Sequence, residues 1–99
     1  MNVNIQTVHF DADVKLTQYI EKKISKVSQF LDTVTKVDVY LKLDNVVHTI
    51  KDKVVEIKVA IPRHEFFAKH SSKSFEESFD EAMDALVNQI KRKKEKLAA

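Results

Sequence analysis

The densest chemistry in this 99-residue chain lies near its end, where Lys91, Arg92, Lys93, Lys94 and Lys96 stand against Glu95 alone. Upstream, between Ser74 and Asp84, come Glu76, Glu77, Asp80, Glu81 and Asp84 with no base among them. Acid first and base last is what a helix macrodipole favours, at ~0.3–1 kcal/mol per group. That accounts for one or two of the lysines and leaves the rest repelling one another, so the cluster points to a polyanionic partner whose phosphates neutralise it. A second row, Lys15, Lys22 and Lys26, recurs at spacings of seven and four, which on a helix is one flank. Lys23 falls nearer the apolar stripe, where its stem can lie on the core while its ammonium reaches out. Lysines with few arginines contact phosphates and carry little sequence code, so recognition would be by shape.

Other constellations are weaker. His9, Asp11 and Asp13 have the alternate spacing of a metal loop, and His64 and His70 flank a short apolar run. Calcium loops need a glycine for their sharp turn and zinc needs further ligands, so helix capping explains the two aspartates more simply and no metal or other cofactor is expected. Asp80 and Asp84 could be imagined as a hydrolytic pair, but both fall on a helix surface with no pocket implied. Zero cysteine removes thiolate nucleophiles and disulfides, and zero glycine removes the phosphate-cradling loops of nucleotide enzymes. An enzyme is not expected.

The elements that position these groups are legible. Val3, Ile5 and Thr7 alternate weakly against Asn4, Gln6 and Val8, a first strand. Asp11 and Asp13 open a helix whose stripe is Leu16, Ile20, Ile24, Val27 and Leu31, some five turns long, with Tyr19 and Phe30 beside it. Asp32 to Thr35 connects to a strand with Val37, Val39, Leu41 and Leu43 on one face, and Asp44-Asn45 then suits a turn or the start of a loop. A third strand puts Val55, Ile57, Val59 and Ile61 inward; Pro62 ends it, and the turn runs through Arg63 and His64. A shorter strand from Glu65 to about Ser71 places Phe66, Ala68 and His70 on one side. Ser74 caps a last helix with Phe75, Phe79, Met83, Leu86, Ile90 and Leu97 inward. The fold class is therefore α+β, a β-α-β-β-β-α two-layer sandwich with both helices on one face of a four-stranded sheet. Tyr40 and Phe67 would project from the opposite face near Lys42, Lys58 and Lys69, a secondary place for base stacking. Two helices on one sheet face sit about 10 Å apart, so their outer lysine rows can form a single basic surface.

At 43% hydrophobic and 32% charged residues with net charge +2, residues 1–99 read as one domain with one modest core. No apolar run approaches the ~20 residues of a membrane span, and the N-terminus lacks a signal-peptide pattern. A cytoplasmic protein without membrane or small-molecule partners, monomeric when free, is expected.

These residues together resemble a known family, the short ribosome hibernation-promoting factors, also called ribosome-associated inhibitor A or sigma-54 modulation proteins. The resemblance covers nearly the whole chain. It rests on the Asn4-Ile5 strand, the Leu16 to Phe30 helix with Lys23, Lys26 and Val27, the Val39-Tyr40-Leu41-Lys42 strand with His48-Thr49 after it, and then Asp80, Asp84, Leu86, Gln89, Ile90 and the lysine-rich end. It implies the same element order, and binding in the mRNA and tRNA channel of the small ribosomal subunit, where basic helix faces press on rRNA and silence translation in stationary phase. By position, Lys22, Lys23, Lys26, Lys91, Arg92, Lys93 and Lys94 would be the phosphate contacts. Two departures stand out: many members open the last helix with an acidic-Met-Tyr sequence where this chain has Ser74-Phe75-Glu76, and their usually Gly-rich strand turn is here Pro62-Arg63-His64. At this length the chain would lack the dimerisation domain of long members, so pairing of ribosomes through it is not implied. The alternatives are a protein-interaction module, a sigma-factor or other modulator using the exposed sheet edge, and a free duplex-RNA-binding domain.

Overall fold

The computed structural model describes residues 2–8, 10–31, 33–45 and 51–98. His9, Asp32, His48 and Thr49, and the side chain of Leu97, lie outside the described part. The elements are β1 (Asn2–Val8), α1 (Val14–Ile24), α2 (Val27–Phe30), β2 (Lys36–Asn45), β3 (Lys51–Ile61), β4 (His64–Ser72) and α3 (Phe75–Ala98). The four strands form one sheet in the order β1-β2-β3-β4. β1 runs parallel to β2, a pairing that requires a crossover, and α1 and α2 supply it. The other two pairings are antiparallel.

Period-two alternation sets the register. Ile5 lies beside Val39, Val39 opposite Ile57, and Ile57 opposite Ala68, so one row of apolar side chains crosses all four strands on the helix side. A slip of one residue would turn every such row to solvent. Val37, Val39, Leu41, Val55, Ile57 and Val59 are fully buried beneath Ile20, Ile24 and Val27 of the crossover and Phe79, Leu86 and Ile90 of α3. Each such side chain contributes roughly 1.5–3 kcal/mol relative to exposure. On the other face Tyr40 is half-buried and Phe67 exposed, with β3 between their strands.

The caps fall where the sequence puts them. The Asp13 carboxylate accepts from the Leu16 amide at 2.8 Å and the Ser74 hydroxyl from the Glu77 amide at 3.1 Å. Phe10 stacks on Phe75 with ring centroids 4.7 Å apart, tying the approach to α1 to the start of α3. Ser78, a fully buried polar residue, donates to the Lys53 carbonyl at 2.6 Å and lies 2.7 Å from the Ser72 hydroxyl, anchoring the first turn of α3 to β3 and β4. Gln89 donates to the Phe67 carbonyl at 2.7 Å. Counting from the hairpin-closing pair Ile61 and His64, Phe67 directs its backbone groups away from β3, so Gln89 covers part of the outer edge of the sheet.

The continuous first helix expected from the stripe is corrected. It breaks at Ser25-Lys26, where the Lys26 amide bonds Lys23 and the Ser28 amide bonds Ser25, both three residues back. The serines explain it: Ser25 donates its hydroxyl to the Lys22 carbonyl at 2.7 Å and Ser28 to the Ser25 carbonyl at 2.8 Å, offering the backbone alternatives to the helical ladder. The apolar spacing survives because Val27 still reaches the core.

Candidate nucleic-acid interface

α3 and the crossover run in the same direction over the sheet. Tyr19 packs edge-on against Phe79, and farther along both elements Phe30 meets Lys91 and Lys94. Between them lies an open groove of about 650 Å³ whose walls include Lys23, Lys26 and Phe30 on one side and Asp80, Asp84 and Lys91 on the other. Asp80 and Asp84 were expected on a surface without a pocket, and this is a correction: the helical spacing of four aims both along the groove because α3 turns that flank toward α1 and α2.

The two ends of the groove differ electrostatically. At one end Asp80 receives the Lys23 ammonium at 2.7 Å, and the Tyr19 hydroxyl shares its proton between the two carboxylate oxygens at 2.7 and 2.8 Å. The Lys23 ammonium also sits 4.6 Å from the centroid of the Tyr19 ring. Burial pushes the Asp80 carboxyl up, but the hydrogen bonds from Lys23 and Tyr19 outweigh it and hold the group below its ordinary value. The same bonds, to Asp80 first and Tyr19 second, raise Lys23. The expectation that the Lys23 ammonium reaches out to solvent is corrected: the carboxylate across the groove captures it.

At the other end no carboxylate pairs with Lys26, Lys91 or Lys94 among the described residues. Lys26 stands exposed at the break between α1 and α2. Lys91 lies 5.8 Å from the centroid of the Phe30 ring, and Lys94 donates to the Phe30 carbonyl at 2.7 Å. Among the described side chains of α3 the last fully buried one is Ile90, and Lys91 and Arg92 beyond it are exposed.

The single basic surface expected from both helices forms only in part. Lys23, Lys26 and Lys91 share the groove, and Lys22 is exposed on the last turn of α1. Arg92 and Lys93 face the other flank of α3, where they line a separate cavity of about 290 Å³ with His64, Phe66 and Gln89. Helical rotation is the reason: successive residues differ by about 100°, so a contiguous basic run cannot present all its charges to one side. Sequence reasoning placed Tyr19 and Phe30 only beside the apolar stripe and took Asp80 for solvated surface, because the bond joining Lys23 and Asp80 spans 57 positions. Among the described residues no group of three His, Asp or Glu could hold a metal ion, and no helix is long and apolar enough to cross a membrane. Asp13 serves as a cap.

A family model described as sigma 54 modulation protein / S30EA ribosomal protein matches residues 3–98. A ribosome hibernation promoting factor from Pseudomonas putida is 29% identical over 96 residues, 97% of this chain and 89% of that protein. Among solved structures, a ribosomal subunit interface protein from Coxiella burnetii superposes with a TM-score of 0.81 at 19% identity, covering 95% of this chain and 98% of that one. The N-terminal domain of Protein Y from Thermus thermophilus gives a TM-score of 0.79 at 24% identity over 93% of this chain and 98% of that one. At these identities the structural matches establish the α+β fold.

Proposed function

The chain belongs to the sigma 54 modulation protein / S30EA ribosomal protein family, and from that membership we propose that it is a single-domain translation inhibitor that occupies the mRNA and tRNA channel of the small ribosomal subunit through its basic helix faces. Ribosome association without catalysis belongs to the family; to it we add, for this chain, the channel, the rRNA contacts and a monomeric, cytoplasmic state. Inhibition is by occlusion. A rigid sheet backs two helical elements, their exposed cations lie against rRNA phosphates, and the volume of the protein excludes mRNA and tRNA.

The observation that carries this reading is that Lys26 and Lys91, on different helical elements, wall one groove and have no carboxylate partner among the described residues. Unneutralised cations close together in space are stabilised by a partner that brings phosphates, and each contact releases a counterion. Lys22 and Lys94 extend the charge around that groove and Arg92 and Lys93 carry it onto the other flank of α3, while Lys23 would contact RNA only by exchanging Asp80 for a phosphate.

The triple variant Lys91→Glu, Arg92→Glu, Lys94→Glu should keep its circular dichroism spectrum and lose co-sedimentation with small subunits. Wild-type binding should weaken steeply as salt rises. Undiminished co-sedimentation of the triple variant would refute this assignment of the binding surface. Survival of an interaction after nuclease digestion and ribosome dissociation would instead favour a protein partner.

A further inference from the structure

We propose that the outer flank of α3, together with the β3–β4 turn, forms a second phosphate-binding face that holds a different stretch of RNA from the one in the groove; it rests on the RNA reading above and adds Arg63 and His64 to the contact residues. The cavity on this flank is walled by His64, Phe66, Gln89, Arg92 and Lys93. Unlike the groove, which contains Asp80 and Asp84, its described walls hold no carboxylate. Its formal charge comes from Arg92 and Lys93, and the imidazole of His64 adds a donor. Phe66 is buried and its ring meets the His64 ring edge-on at 4.6 Å, which orients the imidazole. Gln89 is anchored by its bond to the Phe67 carbonyl, and its amide group has a second proton to offer. Fixed donors around a concave cationic surface suit a phosphodiester oxygen.

A second observation, in the backbone, points the same way. Arg63, the residue before His64, has φ of 67°, and it has positive φ without being glycine. Pro62 starts the turn and the third position takes the left-handed angle, where glycine fits without steric cost and a residue with a Cβ is strained. An exposed arginine held in that conformation, one residue from a cationic cavity, exchanges stability for a guanidinium at that place. The two flanks of α3 face different directions, so one strand of RNA along the groove leaves the outer flank for another.

Arg63→Gly separates a structural role from a binding role because the two move in opposite directions. Glycine relieves the backbone, so the thermal midpoint should rise by about 4 °C. Loss of the guanidinium should weaken binding to small subunits about three- to tenfold and lower the slope of log affinity against log salt. Arg92→Glu, on an exposed helical position, should weaken binding further without change in the midpoint. Unchanged affinity in both variants would overturn the proposal.

A direct readout is a nitrogen-15 NMR titration of the full chain with a short oligouridylate at low salt. Resonances of His64, Gln89 and Arg92 should shift, and should still shift in Lys26→Glu, Lys91→Glu, where the groove no longer responds. Shifts confined to the groove would overturn the second face. Shifts at His64 and Arg92 with none at Lys26 and Lys91 would support it and sink the groove assignment instead.

Discussion

The groove between the crossover and α3 pairs lysines with an aromatic ring at both ends, yet one end is neutralised by a carboxylate and the other is not. Near Asp80, a lysine, a tyrosine and a carboxylate satisfy one another within the protein. Near Phe30, Lys91 and Lys94 have an aromatic face and a carbonyl for company, and no opposing charge among the described residues. The first end is a clasp between α1 and α3, and the second is the surface proposed for RNA. Charge content alone does not mark a binding site; the geometry of neutralisation does.

The largest effect should come from breaking the open end. Lys26→Glu with Lys91→Glu should reduce affinity for small subunits about 100-fold at low salt while both sites, being exposed, leave stability within ~0.5 kcal/mol. Filter binding and a urea melt on the same preparation would check both halves. If binding falls no more than for Lys15→Glu, the open end has no special standing.

Breaking the closed end should do the reverse. Asp80→Ala removes the acceptor of both Lys23 and Tyr19 and should cost about 1 kcal/mol, the screened value for a half-exposed pair with a hydrogen bond. It frees Lys23, so binding should hold or rise a few-fold. A large loss of binding at unchanged stability would make Asp80 part of the RNA surface and erase the distinction between the ends.

pH sharpens the same contrast. Because Asp80 is held below its ordinary value of 3.8, its contribution is complete above that value and is lost as pH falls through the lower value in the folded protein. Lys23 is raised above 10.5, so the pair also weakens as pH rises past that range. Between these limits the clasp is intact. Wild type and Asp80→Asn should therefore differ in stability at neutral pH and converge in strong acid, as urea midpoints across pH would record. The smallest effect belongs to Lys94→Met, which forfeits the bond to the Phe30 carbonyl and should cost about 0.5 kcal/mol at an exposed site.

Much of the fold was legible because its signals are local. Alternation at Val37, Val39 and Leu41, the stripe Leu16, Ile20 and Ile24, and the caps Asp13 and Ser74 each rest on neighbours within four residues. The break at Ser25 was not, since hydroxyl bonding to the backbone competes with helix by small margins that apolar spacing does not record. The site was half legible. The cations of α3 are plain in the chain, but the capture of Lys23 by Asp80 and the partition of Arg92 from Lys91 depend on which flank of α3 meets which neighbour.

The sequence by itself determined the order of elements, the face each turns inward, and a surplus of cations at the end of the last helix. It could do so because side-chain periodicity and capping are properties of contiguous residues. Only the tertiary structure decided that Lys23 of the first helix is neutralised by Asp80 while Lys26 and Lys91 have no carboxylate partner among the described residues, because electrostatic pairing depends on distance in space, and the packing of two elements on a common sheet sets that distance.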